Sequence, residues 1–267
     1  MNKPVNSQHS YDNSRFHHTE NLVRLGLNME NVDYVVAMVG NPNTGKSTVF
    51  NNLTGLRQHT GNWPGKTVTR AEGGFSYKSK RYKIVDLPGT YSLLSTSTDE
   101  EVARNFILFG QPDVTVIVVD ATRLERNLNL ALQILEITNR AVLCLNLMDE
   151  ARRNHIEIDQ RALSKELGIP VIATAALRKE GMKELIAAID EVATGKTICS
   201  PQKIKYRSSK LNNAISTLVE KLAEQFPNLP NLTWVALRLL EGDNSIVEAV
   251  RSGELGNLHV SVSSVQP

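Results

Sequence analysis

From Tyr34 onward the chain alternates short apolar runs with longer amphipathic stretches. Tyr34–Val39 is a β-branched run that predicts a buried strand, Gly40–Gly45 a loop, and Lys46–Thr54 a helix. Val68–Tyr77 and Arg81–Val85 predict an antiparallel pair joined by a turn around Lys78–Lys80. A helix is expected near Asp99–Phe109. Three strand–helix steps follow: Val114–Val119 then Asn127–Thr138, Ala141–Leu147 then Asp159–Leu167, and Val171–Thr174 then Met182–Val192. Such alternation predicts an α/β fold, with a mostly parallel sheet and helices on both faces.

The alternation stops near Ala193, and Thr194–Pro201 reads as a linker. Ser208–Gln225 then places Leu211, Ile215, Leu218 and Leu222 at helical spacing, and Leu232–Leu240 and Ser245–Val250 predict two more helices. This tail is too short for a large core of its own, so it is expected to pack on the α/β part or close on itself. Residues 1–30 are polar and read as a flexible arm with a short helical piece near Glu20–Leu27. His9, His17 and His18 lie in that arm without a third spaced ligand and read as exposed residues rather than a metal site. The expected division is an arm over 1–30, an α/β domain over 31–195, and a helical domain with its tail over 196–267.

Composition narrows the class without naming it. The chain has 267 residues, 41% hydrophobic and 22% charged, as in ordinary globular chains of one to two domains. Its longest apolar runs, Val114–Val119 and Ala141–Leu145, fall far short of the roughly 20 residues of a spanning helix. With 30 Lys+Arg against 28 Asp+Glu the net charge is +2, and no clustered basic face argues for nucleic acid. Cys144 and Cys199 make no disulfide framework. Cys144 sits in an apolar run as a small core residue, and the usage fits a reducing, cytoplasmic setting. No apolar secretory segment occupies the first 30 residues.

The chemistry begins at Gly40-Asn-Pro-Asn-Thr-Gly45-Lys46-Ser47, which fits the phosphate-loop pattern G-x-x-x-x-G-K-[ST] between a predicted strand and a predicted helix. Its amides and the helix N-terminus point at an anion, Lys46 reaches the β- and γ-phosphates, and Ser47 offers a hydroxyl to Mg²⁺. Asp86-Leu-Pro-Gly89 closes the Arg81–Val85 strand; Asp86 can hold Mg²⁺ through water, and Gly89 can give its amide to the γ-phosphate. In Asn146-Leu-Met-Asp149, Asp149 can accept from both N1–H and the 2-amino group of guanine, a donor pair that adenine lacks. Leu147 stands where the usual motif has lysine. After the last strand, Thr174-Ala175-Ala176 can bring a backbone amide, that of Ala176, to guanine O6. Thr67, with Thr69 as its competitor, lies in a Gly- and Pro-marked loop suited to a switch and would complete Mg²⁺ coordination.

The expected nucleotide-binding set is Gly40, Asn41, Asn43, Thr44, Gly45, Lys46, Ser47 and Thr48, with Asp86 and Gly89, with Asn146, Met148 and Asp149, and with Thr174, Ala175 and Ala176. Lys46, Thr67 and Gly89 are the candidate catalytic groups, and Ser47, Thr67 and Asp86 the candidate Mg²⁺ ligands. The order of these elements resembles Ras-like, translation-factor-related GTPases, which implies a phosphate-loop fold binding GTP and GDP. Thr90 follows Gly89 where Ras-type enzymes place a water-orienting glutamine, so slow intrinsic hydrolysis is expected.

Finer strings resemble the bacterial ferrous iron transporter B family. They are Gly40–Ser47 with its Asn-Pro-Asn, Gly61-Asn-Trp-Pro-Gly65, Asp86-Leu-Pro-Gly-Thr-Tyr-Ser92, Gln111-Pro-Asp113, Asp120-Ala-Thr-Arg-Leu-Glu-Arg-Asn127, Asn146-Leu-Met-Asp149 and Trp234-Val-Ala-Leu-Arg-Leu-Leu-Glu-Gly-Asp243. The resemblance spans roughly residues 33–245 and implies a GTPase and helical segment preceding a membrane permease of the same polypeptide, at the cytoplasmic face of the bacterial inner membrane. It implies that the helical segment favours the GDP-bound state. It also implies a K⁺ ion beside the phosphates, bound by Asn43 with carbonyls of Gly61 and Trp63, where other GTPases use an arginine finger. A homo-oligomer is open. Two other readings compete: a free-standing GTPase of ribosome or RNA biogenesis, which should carry a basic appendage, and a nucleotide-holding module without turnover. His59 and His155 stand isolated, and no metal-ligand cluster is evident in the sequence.

Overall fold

The structure is a computed structural model and describes residues 19, 21–56, 58–94, 97–203, 208–227 and 229–251. His9, His17, His18, Glu20 and the tail from residue 252 on lie outside the described residues. Seven strands form one sheet: β1 (Tyr34–Gly40), β2 (Gln58–Asn62), β3 (Thr69–Tyr77), β4 (Lys80–Asp86), β5 (Val114–Asp120), β6 (Ala141–Asn146) and β7 (Val171–Ala173). Their spatial order is β2-β3-β4-β1-β5-β6-β7. β1 runs parallel to β4 and β5, and β5, β6 and β7 continue the parallel part. β3 is antiparallel to β2 and β4. Lys78 and Ser79 both adopt positive φ, 47° and 62°, the conformation that a tight hairpin turn requires.

After β1, nine α-helices surround the sheet or follow it among the described residues. They are α1 (Lys46–Thr54), α2 (Thr98–Gly110), α3 (Leu124–Ile137), α4 (Met148–Arg153), α5 (Gln160–Leu167), α6 (Met182–Ala193), α7 (Ser209–Gln225), α8 (Leu232–Leu240) and α9 (Asn244–Arg251). Strand periodicity divides the core in two. Val35, Ala37 and Val39 face a cluster with Phe106 and Ile107 of α2 and Leu130 and Ile134 of α3. Val36 and Met38 face the other, with Val49 and Phe50 of α1 and Leu185 and Ile189 of α6. Helices therefore cover both faces, as the sequence implies. At the hairpin end, the fully buried Asp190 accepts from the Tyr82 hydroxyl (2.6 Å) and Lys78 Nζ (3.1 Å), so the carboxylate is satisfied inside the fold.

The helical tail both packs on itself and seats on the α/β part. Ile215, Leu222, Trp234, Val235 and Ile246 join the same cluster as α2 and α3. Asn231 donates from Nδ2 to the carbonyls of Glu136 (2.7 Å) and Ile137 (3.0 Å), while its Oδ1 accepts from Trp234 N (3.3 Å). One side chain thus caps the end of α3 and the start of α8. Arg104 of α2, 1% exposed, donates to Asp243 Oδ2 (3.3 Å) and Ser245 Oγ (2.7 Å). The other oxygen of Asp243 accepts from Ser245 N and Ile246 N, capping α9.

Besides the unpredicted α4, two elements differ from the sequence reading. Residues 21–24 are helical, but Leu22 and Leu27 are buried against the core rather than swinging in a flexible arm. Arg70 of β3 donates to the carbonyls of Leu25 and Gly26, both at 2.9 Å, and lies over the Trp63 ring. The apolar side chains of this short piece find a partner in the domain, which outweighs its polar surroundings. Second, Gly61 and Asn62, expected in a mobile loop, belong to edge strand β2, paired with Arg70 and Thr69.

Candidate functional site

The phosphate loop leaves β1 and enters α1 at the carboxyl edge of the sheet, where ligands of open α/β folds bind. Two glycines are sterically required. A Cβ at Gly40 would stand 2.4 Å from the Val118 carbonyl oxygen of the neighbouring strand. Gly45 has φ +78°, and a Cβ there would stand 2.4 Å from Asn146 Nδ2. Thr44 closes the loop, its hydroxyl donating to the Asn41 carbonyl (3.0 Å).

Lys46 Nζ donates to Asp86 Oδ1 and to the Leu87 carbonyl (2.8 Å). The two groups expected at the phosphates and at Mg²⁺ are therefore in direct contact. Burial pushes the Asp86 carboxyl above the usual carboxylate range, against the pull of Lys46. The strand pairing of β4 with β1 continues past Asp86, with Leu87 N donating to the Met38 carbonyl (2.9 Å). Thr90 N then reaches the Gly40 carbonyl (3.3 Å), which lays Gly89 across Pro42. The Thr90 hydroxyl donates to the Ser92 carbonyl (2.7 Å).

The base end is built around Asn146 at the tip of β6. Its Nδ2 donates to the Thr44 carbonyl (2.9 Å), and its Oδ1 accepts from Ala176 N (3.1 Å) and from the Thr174 hydroxyl (3.1 Å). Ala176, expected to offer its amide to guanine O6, gives it to Asn146 here, and its carbonyl accepts from Asn52 of α1 (2.6 Å). Leu147 adopts positive φ (63°) as α4 begins, with Asp149 in the first turn. Asp149 Oδ2 lies 3.3 Å from Arg178 Nε.

These two ends share one cleft of about 420 Å³. Its walls include Asn43, Gly45, Thr48, Asn146, Asp149 and Ala176, all expected from sequence. Tyr91, Asp120, Thr122, Arg126 and Asn127 also line it, and no motif announced them. Arg126 lies over the Tyr91 ring at 4.6 Å, joining α3 to the segment after Gly89. The signal that could have found them was the 86–92 string for Tyr91 and the 120–127 string for the others, which carried only the family resemblance at these positions. Asn41 Oδ1, at the same wall, is buried with no hydrogen-bond partner among the described residues.

Ser47 and Asp86 supply the hard oxygen donors that Mg²⁺ prefers. Thr67, the third expected Mg²⁺ ligand, is exposed in the turn beyond Trp63. Of the expected K⁺ set, Asn43 alone is among the residues that line the cleft. Gly61 lies in β2, and the Trp63 carbonyl accepts from Lys66 N (3.0 Å).

A family model described as ferrous iron transport protein B matches residues 34–189, and one described as the FeoB cytosolic helical domain matches 208–263. The chain belongs to the ferrous iron transport protein B family. It is 43% identical over 212 residues to the Fe(2+) transporter FeoB of Shigella flexneri, covering 78% of this chain and 27% of that protein. The chain thus spans about a quarter of the length of that curated relative. Among solved structures it resembles the cytosolic domain of T. maritima FeoB in a GDP form, with TM-score 0.74, 37% identity and 86% and 87% of the two chains covered. It also resembles the cytosolic domain of L. pneumophila FeoB, with TM-score 0.73, 33% identity and 85% and 90% covered. The FeoB segment here accordingly has the phosphate-loop fold with a helical domain after it.

Proposed function

We propose that this chain binds guanine nucleotides and hydrolyses GTP as the regulatory segment of a ferrous iron uptake transporter, at the cytoplasmic face of the bacterial inner membrane. The observation that carries this reading is one cleft walled by phosphate-loop residues Asn43, Thr44 and Gly45 at one side and by Asn146 and Asp149 at the other. A nucleotide's phosphates and base demand those two chemistries at once. The FeoB relatives support the transporter context, and the GDP form of the T. maritima domain supports the ligand class.

In this reading Lys46 leaves Asp86 for the phosphates; Asp86 and Ser47 would then hold Mg²⁺, which would supply charge neutralisation. Gly89 offers its amide to the γ-phosphate. Asp149 accepts from guanine, with Leu147 as an apolar wall in place of the usual lysine. Water attacks the γ-phosphorus, the bond to the β-bridging oxygen breaks, and GDP and phosphate leave. The Thr90 hydroxyl is engaged with Ser92, so no side-chain base stands at that position, which supports slow turnover. Asn43 is proposed to give K⁺ stimulation. The helical segment is proposed to favour the GDP-bound state, and nucleotide state to act on a membrane permease of the same polypeptide.

The test is titration of GDP and GTP with released phosphate as readout. Lys46→Ala should abolish tight nucleotide binding. Asp149→Asn should shift preference from guanosine to xanthosine nucleotides. Unaltered GDP affinity in both variants would contradict the reading.

A further inference from the structure

The two functional ends of Asn146-Leu-Met-Asp149 grip the same short turn. Asn146 Oδ1 holds the amide of Ala176 at the start of the helical turn Ala176–Arg178, and Asp149 holds Arg178 at its end. The turn is closed from behind: Ala175 N donates to the Glu180 carbonyl (3.2 Å), and Arg178 N to the Ala175 carbonyl (2.9 Å). Glu180 in turn pairs with Arg152 of α4, one turn beyond Asp149. The loop over 175–180 is therefore cross-braced to the helix that carries the base-recognising acid.

We propose that Arg178 is a positioning residue for guanine recognition, holding the Asp149 carboxylate in the orientation that accepts from both donors of the base. The inference rests on the guanine reading of Asp149 and deepens it. The side chain of Asp149 is 12% exposed and that of Arg178 is 58% exposed. Asp149, Ala176 and Leu177 line the cleft, and Arg178 reaches the carboxylate from outside that wall. A carboxylate has about four acceptor sites on its two oxygens. Guanine N1–H and the 2-amino group use one on each oxygen, which leaves a site on Oδ2 for Arg178 Nε. The arginine and the base are thus partners on one group, not rivals for it. A lysine in the position of Leu147 would supply a cation nearby; here Arg178 supplies one from the opposite loop.

The role predicts a signature that a merely structural residue would lack. Bidentate pairing needs the carboxylate oriented, while a single bond to N1–H tolerates its rotation. The probes are GDP and IDP, whose hypoxanthine base lacks the 2-amino group. Arg178→Ala should weaken GDP by about fivefold, in line with a half-exposed ion pair, and weaken IDP less, so that the GDP/IDP preference falls. Arg178→Lys should restore part of that preference. In an Asp149→Ala background, Arg178→Ala should change nothing further. An unchanged GDP/IDP ratio in Arg178→Ala would overturn the proposal, as would tighter GDP binding, which would make Arg178 a competitor of the base. If Asp149→Asn shifts preference to xanthosine nucleotides while Arg178→Ala is silent, this inference alone fails; if Asp149→Asn does not shift it, the guanine reading itself fails.

Discussion

Asn146 Nδ2 donates to the Thr44 carbonyl at 2.9 Å, tying the end of β6 to the phosphate-loop motif that leaves β1. Both groups are buried. Removing the amide by Asn146→Ala leaves the Thr44 carbonyl and the Ala176 amide without their partner. Each buried group so orphaned costs about 1–3 kcal/mol. Urea unfolding of the nucleotide-free protein should therefore show a loss of about 3 kcal/mol, with GDP affinity falling as well. A variant as stable as the parent would show that water satisfies both groups.

Asn43 is an exposed residue of positive φ (65°) on the cleft wall. If it holds K⁺ beside the phosphates, phosphate release should run faster in K⁺ than in Na⁺ at equal ionic strength. Asn43→Ala should then erase the difference. Equal rates in the two salts would remove K⁺ from the reaction.

Asp243 has two duties, pairing with the buried Arg104 and capping α9. Burial lowers the pKa of Arg104, and the nearby Asp243 charge opposes that shift. Asp243→Ala strands a guanidinium that is 1% exposed, at a cost of about 3–5 kcal/mol. The double variant Arg104→Met, Asp243→Ala should recover most of this, because no charge is left unpaired. Denaturant midpoints of the single and double variants decide the matter; equal midpoints would mean that the cap, and not the ion pair, accounts for the loss.

Burial pushes the Cys144 thiol up to about 12, against a hydrogen bond with Thr174. The thiolate is the reactive form, so folded Cys144 should resist iodoacetamide at pH 8 and react only as the protein unfolds. Cys199, half-buried and raised by less complete burial, should label first. The sign of the linkage follows. The unfolded thiol ionises at its ordinary value while the folded one stays neutral, so this contribution to stability is whole below the ordinary thiol range. It is lost as pH rises from there towards about 12. Equal labelling rates for the two thiols would contradict this.

Periodicity made the sheet and most helices legible, because burial on two faces leaves a two- or 3.6-residue pattern. Lys46–Thr54 and Leu232–Leu240 have the predicted bounds. β2 left no such pattern: Gln58-His-Thr-Gly-Asn62 is polar and is held by its backbone ladder to β3. α4 was too short and polar to stand out. At the site, the motif residues were readable because each carries its own chemistry. Tyr91 and Arg126 were not, since their place on the cleft wall depends on how α3 lies against the segment after Gly89. Likewise Arg178 acquires meaning only once its turn is seen beside Asp149.

The hold of Arg70 on the Leu25 and Gly26 carbonyls bears on how this protein should be dissected. A fragment begun at Tyr34, where the family-model match starts, would retain every nucleotide motif. It would also lose two core leucines and both carbonyls that steady Arg70, whose guanidinium lies over Trp63 beside the 61–67 segment. Such a trimmed domain would therefore carry a loosened 61–67 segment, and any nucleotide affinity measured on it would describe the cut as much as the fold.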